Sequence, residues 1–458
     1  MVCLTVPLFP NPAASWYALC LALLAILVLD HNRTLNPKSM MLLGAIVGVC
    51  FLLRQLSGAL LGAGVLLASL NMMQLQKPSN ERLISSLMIL SVIAVVALIT
   101  SRALTLASWT MLALAPTILV AAYLLRVRVD NALALQFCVY FWVGCFFSAL
   151  PLVLYHWSQG SLSSWVYGSF VRSVGFSWSS FFPGATLSTY PVHVISGLFT
   201  RLDLVSLANG LYWLLLFFAP TLLGVALVLQ ERNRKPAGVP AIGLVALFFA
   251  LNALHLQIPI YIYYGSALCL VALLVVLGDR LPGFGRVNQA MLIFMVVISL
   301  SFHVGKGQPG NLADLFWGER NDELVLCALP RAELYMTVNE CAGYLDIVRL
   351  IEDNSDSADT ILTVPNSIEI NFLAARKHAR NWMTCPMFVT DEAAAAEEAA
   401  SITASPPALV VLKADDKYYS RSCKLMMEML APNLLPLQTI GAFQVFRYAS
   451  VENAQSPD

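Results

Sequence analysis

The feature that most constrains this chain is a series of long apolar runs that fills residues 1–303. We read ten candidate membrane spans among them: 13–30, 40–53, 58–76, 83–101, 104–125, 132–155, 207–230, 237–254, 258–278 and 287–303. A helix needs about 20 apolar residues to cross the ~30 Å hydrocarbon layer of a bilayer. The chain is 58% hydrophobic and 12% charged, whereas soluble domains carry about 25% charged residues. The sequence therefore excludes a wholly soluble enzyme and predicts an α-helical polytopic protein embedded in the lipid bilayer.

Charge divides the chain into two parts. Residues 1–302 hold 15 Lys and Arg against 6 Asp and Glu, whereas residues 303–458 hold 12 against 21. We therefore predict a basic multi-pass membrane domain over residues 1–303 and an acidic, water-soluble domain over residues 304–458. The positive charges of the first part lie in short loops between apolar runs, so they do not indicate a nucleic-acid partner.

The positions of the positive loop residues predict the orientation in the membrane. Five loops hold 11 positive residues, in the groups Arg33/Lys38, Lys77/Arg82, Arg126/Arg128, Arg232/Arg234/Lys235 and Arg280/Arg286. The alternate loops hold four: Arg54, Arg102, Arg172 and Arg201. Cytoplasmic loops carry the excess of Lys and Arg. We therefore expect an inner- or plasma-membrane protein with the long loop 157–206 and the C-terminal domain on the extracytoplasmic side.

Arg54 and Gln55 lie between two predicted spans. The span 40–53 has only 14 residues, about 21 Å of helix, so Arg54 should be recessed below the outer membrane surface. A guanidinium group suits a phosphate or a carboxylate. Arg54 is therefore a candidate anchor for the phosphate of a lipid carrier, and the alternative is an arginine that snorkels to the interface or pairs internally.

Two outer segments combine histidine, glutamine and aromatic residues. Residues 151–160 contain His156 and Gln159, and residues 254–264 contain His255, Gln257 and Tyr261. These residues form either an aromatic belt at headgroup level or the polar rim of a substrate cleft. The histidines have no Asp, Glu or Cys at ligand spacing, so no metal site is assigned.

Carboxylates are scarce on the predicted outer face of the membrane domain. Loop 157–206 is rich in Ser and aromatic residues, and it is too long for a simple connection. Its apolar clusters predict one or two helices lying on the outer membrane surface. Its sole carboxylate is Asp203, which is either a catalytic base or an ordinary loop residue or helix cap.

The C-terminal part alternates helical and extended patterns. We expect helices over 333–353, 391–402 and 417–430 and strands over 360–365, 407–412 and 442–447. This order predicts a small α/β domain with a mainly parallel sheet. No Gly-rich phosphate loop follows either of the first two strands, so a dinucleotide site is not expected.

Four cysteines lie in this acidic domain. In an oxidising compartment they permit two disulfides with three connectivities, of which we favour Cys327 with Cys341 and Cys385 with Cys423. Zinc is the alternative, but no CxxC spacing accompanies it.

Three stretches resemble bacterial GT-C membrane glycosyltransferases. The first runs from Gly44 through Gly48 to Arg54, Gln55 and Gly58, and the second is residues 155–160 followed by the long outer loop. The third is the strand ending at Pro365, continued by residues 370–376 and ending near Trp382.

This resemblance implies transfer of a sugar from a polyprenyl-phosphate donor to an extracytoplasmic glycan, lipid or protein acceptor, and a divalent metal is compatible with the class. Family members carry a catalytic Asp or Glu in the first outer loop, and no matching position exists here. The resemblance therefore implies a family member without its N-terminal helices, in which Arg54 alone carries over, as a contact to the carrier phosphate.

Two other functions remain open at this point. A lipid or solute transporter would carry paired ionisable residues near the midplane and internal repeats, and neither is clear in this sequence. A non-catalytic membrane scaffold that presents its outer domain to a partner would need no catalytic acid.

Overall fold

The computed structural model describes residues 14–32, 34–101, 106–172, 195, 204–232, 240–255, 259–278, 324–380, 382, 384–389, 391–414 and 419–449. These residues fall mainly into two compact units, a helical one that extends to residue 278 and an α/β one that begins at residue 324. The predicted boundary between residues 303 and 304 lies outside the described residues.

The helical unit is built from apolar helices in the order of the predicted spans. They are α1 (Ala14–His31), α2 (Pro37–Leu53), α3 (Gln55–Gln76), α4 (Leu83–Thr100), α5 (Leu114–Arg126, preceded by a π-helical turn, Trp109–Ala113), α6 (Asn131–Ser158), α7 (Leu162–Val166, continued by a π-helical turn, Tyr167–Arg172), α8 (Leu204–Arg232), α9 (Ala241–Ala250), α10 (Asn252–His255) and α11 (Pro259–Gly278).

Four helices in the described part of the chain are long and apolar enough to cross a membrane. They are Gln55–Gln76, Leu83–Thr100, Trp109–Arg126 and Asn131–Ser158. Five shorter apolar helices lie at other predicted spans: Ser15–His31, Pro37–Leu53, Leu214–Gln230, Ala241–Leu254 and Tyr264–Leu277. The tenth predicted span, 287–303, lies outside the described residues.

The surface of α6 shows why this unit suits a lipid environment. Leu135, Val139, Trp142 and Phe146 follow one another at helical spacing and are each more than half exposed. The opposite face of α6 is buried and also consists of small or apolar residues. A helix that is apolar on both its buried and its exposed faces would leave an exposed apolar patch in water, whereas in a bilayer that stripe faces lipid.

Glycines allow α2 and α6 to pack closely. A Cβ atom on Gly44 would overlap the carbonyl oxygen of Phe141, and one on Gly144 would overlap that of Met41. The thiol of Cys145 lies 3.1 Å from the carbonyl oxygen of Gly44. The Gly44 to Gly48 stretch, part of the predicted resemblance, therefore has a packing role of the small-residue kind that is common between membrane helices.

Three loops with predicted cytoplasmic positive charge, near residues 33–38, 77–82 and 126–130, meet at one end of the helical unit, and the other two loops lie outside the described residues. The backbone N–H of Leu35 donates to Gln76 (3.1 Å), and Lys77 forms an ion pair with Asp130 (2.7 Å). The side-chain hydrogen bond from Lys77 is the largest effect that lowers the pKa of Asp130. We call this region the basic end. Because α2 and α3 run antiparallel, Arg54 lies at the opposite end, which we call the Arg54 end.

The C-terminal unit contains a hairpin and a five-stranded mixed sheet. The hairpin is β1 (Leu324–Leu329) with β2 (Ala332–Thr337), and the sheet holds β3 (Thr360–Val364), β4 (Lys377–His378), β5 (Leu409–Lys413), β6 (Leu434–Ile440) and β7 (Phe443–Tyr448) in the order β4-β3-β5-β7-β6. β3 pairs in parallel with β4 and β5, whereas β7 is antiparallel to β5 and β6. The sheet is therefore half parallel, not mainly parallel as expected.

Helices cover both faces of this sheet. They are α12 (Val338–Asn354), α13 (Ile368–Leu373), α14 (Cys385–Phe388), α15 (Glu392–Ala404) and α16 (Arg421–Leu430). Ile361 of β3 packs in one apolar cluster with α12 and α13, and Leu362 packs in the other with α15 and α16. This alternation explains why β3 and β5 read as continuous apolar runs.

The largest local difference from the sequence prediction is at the start of α12. Residues 333–337 were expected to be helical, but they belong to β2. Thr337 begins the helix with a capping box, in which its hydroxyl accepts from the backbone N–H of Glu340 and the Glu340 carboxylate accepts from the backbone N–H of Thr337. A Thr-x-x-Glu sequence is the signature of this helix start, so the boundary was readable in the sequence.

The two favoured disulfides are present. Cys327 of β1 is bonded to Cys341 of α12, and Cys385 of α14 is bonded to Cys423 of α16. The structure confirms this pairing among the three connectivities that the sequence allowed.

Candidate functional site

Arg54 lies between α2 and α3, at the tip of the hairpin that these two helices form. It is the C-cap residue of α2 and the N-cap residue of α3, with an extended backbone (φ −158°, ψ 99°). Just beyond it, Gly58 of α3 lies against the backbone of Phe51, where any side chain would clash. The small residue lets the two helices turn back on each other within a few residues, and this places the Arg54 backbone at the tip.

The Arg54 side chain is held by neutral groups. Its Nη1 donates to the hydroxyl of Ser15 in α1, and its guanidinium lies over the ring of Tyr261 in α11, 4.5 Å from the ring centre. Ser15 is buried, while Arg54 and Tyr261 are half-buried. Among the residues that the structure describes, no carboxylate lies within 4.0 Å of this guanidinium.

Further polar groups lie close to Arg54 in the chain or next to the residues that it contacts. The buried Ser57 hydroxyl donates to Oδ1 of Asn252 (2.9 Å), whose side-chain amide donates to the carbonyl oxygen of Phe249 (2.7 Å). Tyr264 is 3% exposed, and its ring packs edge-on against Trp16 at 4.5 Å. The Arg54 end therefore joins α1 and α11 directly to the guanidinium, and Ser57 of α3, one turn from Arg54, joins α10 through Asn252.

His156 lies near this site and is linked to it by aromatic contacts. It is near the end of α6, where its Nδ1 lies 2.9 Å from the hydroxyl of Ser161 and its ring stacks on Trp165 at 5.0 Å. Trp165 in turn contacts Phe170, and Phe170 stacks on Phe51 of α2 at 5.9 Å. The structure therefore brings His156 to the same end of the unit as Arg54.

The other predicted site residues lie at or near helix ends, or outside the described residues. Gln55 is the first residue of α3 and is half-buried, and Gln159 follows α6 and is exposed. His255 ends α10, but its side chain lies outside the described residues, as do Gln257 and Asp203. Among the predicted residues whose side chains the structure describes, Tyr261 is the one that directly contacts the Arg54 guanidinium.

Charged acidic groups lie away from Arg54. Within the helical unit, the Asp and Glu residues with described side chains are Asp30, Glu81 and Asp130. Asp30 is at the end of α1 opposite to Ser15, and the other two are at the basic end, where Glu81 accepts from the backbone N–H of Asn131. No cluster of three metal-ligating residues occurs among the described residues. Among the described residues, the Arg54 end therefore holds a guanidinium and an imidazole but no carboxylate.

Sequence reasoning missed three residues of this site. Ser15 and Asn252 are single polar residues inside predicted spans, whereas Ser57 lies in the predicted turn just after Arg54. An Asn within a membrane span was the one available signal, because polar side chains at that depth are uncommon.

His378 is a polar group of the α/β unit in a partly buried, perturbed environment. His378 of β4 packs against Trp382 (4.9 Å between ring centres), and its Nδ1 lies 2.9 Å from the carbonyl oxygen of Arg380. Burial lowers the pKa of His378 below its ordinary value, partly offset by its backbone hydrogen bonds. Arg380 is paired with Glu398 at 2.8 Å, so the polar contacts of His378 and Arg380 are explained by local structure.

Comparisons with known proteins do not place this chain in a family. No protein family, curated protein or solved structure matches it.

Proposed function

We propose that this chain is a GT-C-like membrane glycosyltransferase. In this proposal Arg54 binds the phosphate of a polyprenyl-phosphate sugar donor, and the sugar passes to an extracytoplasmic glycan, lipid or protein acceptor. The observation that carries the proposal is the Arg54 guanidinium, which lies among buried groups without a described carboxylate partner.

The positive charge of Arg54 would be stabilised by a bound anion. A cation removed from water is costly unless an opposite charge accompanies it. The hydroxyl of Ser15 and the ring of Tyr261 orient the guanidinium but carry no negative charge. A planar guanidinium binds phosphate oxygens in a two-pronged arrangement, and a lipid phosphate reaches this depth because its chain stays in the bilayer.

Two independent features support the predicted orientation. The three basic loops among the described residues meet at the end opposite Arg54, which favours a cytoplasmic basic end and an extracytoplasmic Arg54 end. The disulfides of the C-terminal unit favour an oxidising compartment on its side of an inner or plasma membrane. Together these features favour the same side of the membrane for the C-terminal unit and Arg54.

Sugar transfer also needs a base that deprotonates the acceptor. The described residues of the Arg54 end hold no carboxylate, so this role falls to Asp203 or to a carboxylate outside the described residues. The same observation favours a second candidate function, a non-catalytic membrane scaffold that retains lipid binding.

Arg54→Ala in the purified full-length protein tests the phosphate assignment. We expect the affinity for undecaprenyl phosphate to fall at least about tenfold, because the variant loses a charge-assisted contact, with a smaller loss for Arg54→Lys. Arg128→Ala at the basic end is the matched control and should bind normally. Unchanged binding by Arg54→Ala would overturn the assignment.

The enzyme and the scaffold differ in turnover. An enzyme releases undecaprenyl phosphate from an undecaprenyl-phosphate sugar in the presence of acceptor, and Asp203→Asn should abolish that release without affecting binding if Asp203 is the base. Binding without any release across the common hexose donors would favour the scaffold.

A further inference from the structure

We infer that the buried hydroxyl of Tyr264 is a second phosphate-binding group at the Arg54 end. This inference rests on the proposed function, since it assigns a second contact to the same lipid phosphate. Tyr264 lies in the segment 254–264, which the sequence predicted as either an aromatic belt or the polar rim of a cleft.

The hydroxyl of Tyr264 is buried and makes no hydrogen bond within the described structure. Such groups are rare, because a phenol removed from water loses its hydrogen bonds to solvent. The ring cannot easily turn the hydroxyl outward, since it packs edge-on against Trp16 at 4.5 Å and the residue is 3% exposed. The structure therefore holds an oriented donor that has no acceptor among the described residues.

The position of Tyr264 places this donor beside Arg54. Tyr261 and Tyr264 are one turn apart on α11, with ring centres separated by 6.3 Å. The Arg54 guanidinium lies over the Tyr261 ring at 4.5 Å. It also donates to Ser15, the chain neighbour of Trp16, against which the Tyr264 ring packs. A cation and an unused O–H donor in one site together match an anion with several oxygens.

A phosphate group fits this pair better than a neutral ligand does. One phosphate oxygen pairs with the Arg54 guanidinium while a second accepts from the Tyr264 hydroxyl, so the charge and the missing acceptor are satisfied together. Both a polyprenyl phosphate and an ordinary phospholipid offer this chemistry, and the experiment separates them.

The test removes one oxygen atom. Tyr264→Phe keeps the ring contact with Trp16 and should weaken binding of undecaprenyl phosphate to the full-length protein about tenfold, the loss of one hydrogen bond to a charged group. Undecaprenol, which lacks the phosphate, should bind both proteins equally. Ser69→Ala is the matched control, because it removes another buried hydroxyl without a hydrogen-bond partner, far along α3 from Arg54.

The melting temperature distinguishes a phosphate contact from a purely structural role of the Tyr264 hydroxyl. A structural role predicts a lower melting temperature for Tyr264→Phe without lipid. Because the Tyr264 hydroxyl has no partner, Tyr264→Phe should melt at the same temperature as the parent protein without lipid, or higher. A lower melting temperature together with equal losses for undecaprenol and undecaprenyl phosphate would overturn the inference.

The outcomes separate this inference from the proposed function. Loss of undecaprenyl phosphate binding in Arg54→Ala with full binding in Tyr264→Phe overturns the Tyr264 contact and leaves the Arg54 assignment standing. Full binding in both variants overturns both. If phosphatidylglycerol competes as well as undecaprenyl phosphate and shows the same Tyr264 dependence, the phosphate contact is supported and the carrier specificity is overturned.

Discussion

Removal of the disulfide Cys385–Cys423 should destabilise the α/β domain more than removal of Cys327–Cys341. The two bonds close chain segments with separations of 38 and 14 residues. In the chain-entropy model, these lengths correspond to about 3.9 and about 3.0 kcal/mol of stabilisation. Both partners of the longer bond are fully buried, so its removal also weakens packing between α14 and α16.

We therefore expect the double variant Cys385→Ala/Cys423→Ala to lower the free energy of unfolding of this domain by about 4 kcal/mol or slightly more. Cys327→Ala/Cys341→Ala should lower it by about 3 kcal/mol. Domains are stable by only about 5–15 kcal/mol, so both variants should stay largely folded at 25 °C but unfold at clearly lower urea concentrations.

Pulse proteolysis of the full-length protein in detergent, across a urea series, measures these free energies from the surviving domain fragment. Cys138→Ala, which removes a free cysteine of α6, is the control and should leave the fragment unchanged. A loss below about 1 kcal/mol for either pair, or a greater loss for the shorter loop, would refute the reasoning. Peptide mapping without reductant that finds any other pairing would refute the topology itself.

Two further predictions concern packing and pH. Gly144→Leu should separate α2 from α6 and lower the melting temperature of the protein in detergent, at a cost of about 1–3 kcal/mol. Gly168→Leu should not, because a Cβ atom added to Gly168 would have no neighbour within 4 Å. Equal effects of the two substitutions would argue against the close helix contact. The stability of the α/β domain should fall as the pH drops below about 6.5, because the unfolded His378 takes up a proton while burial keeps the folded one neutral, with its pKa lowered. Above that pH the contribution of His378 is constant, and His378→Gln should flatten the low-pH slope in urea titrations; an unchanged slope would contradict this assignment.

The sequence predicted the apolar helices well because lipid imposes a simple rule of length and polarity. The helices α3, α4 and α6 lie within a few residues of predicted spans, and the three described basic loops do meet at one end. The strands β3, β5 and β7 were also expected, since alternation of strand and helix shows in local composition. The hairpin β1–β2 and the edge strands β4 and β6 were missed, because short strands with exposed faces carry little periodic signal.

The sequence by itself determined the composition of the two parts of the chain: a long apolar, basic part whose helices suit a lipid environment, and a shorter acidic part with four cysteines. The tertiary structure alone decided what surrounds Arg54. Ser15, Tyr261 and Asn252 are distant from Arg54 in sequence. Only helix packing brings Ser15 and Tyr261 to its guanidinium and Asn252 to Ser57, one turn away in α3. A single polar residue in an apolar helix shows no partner in the sequence, because the partner lies on another helix and depends on how those helices cross.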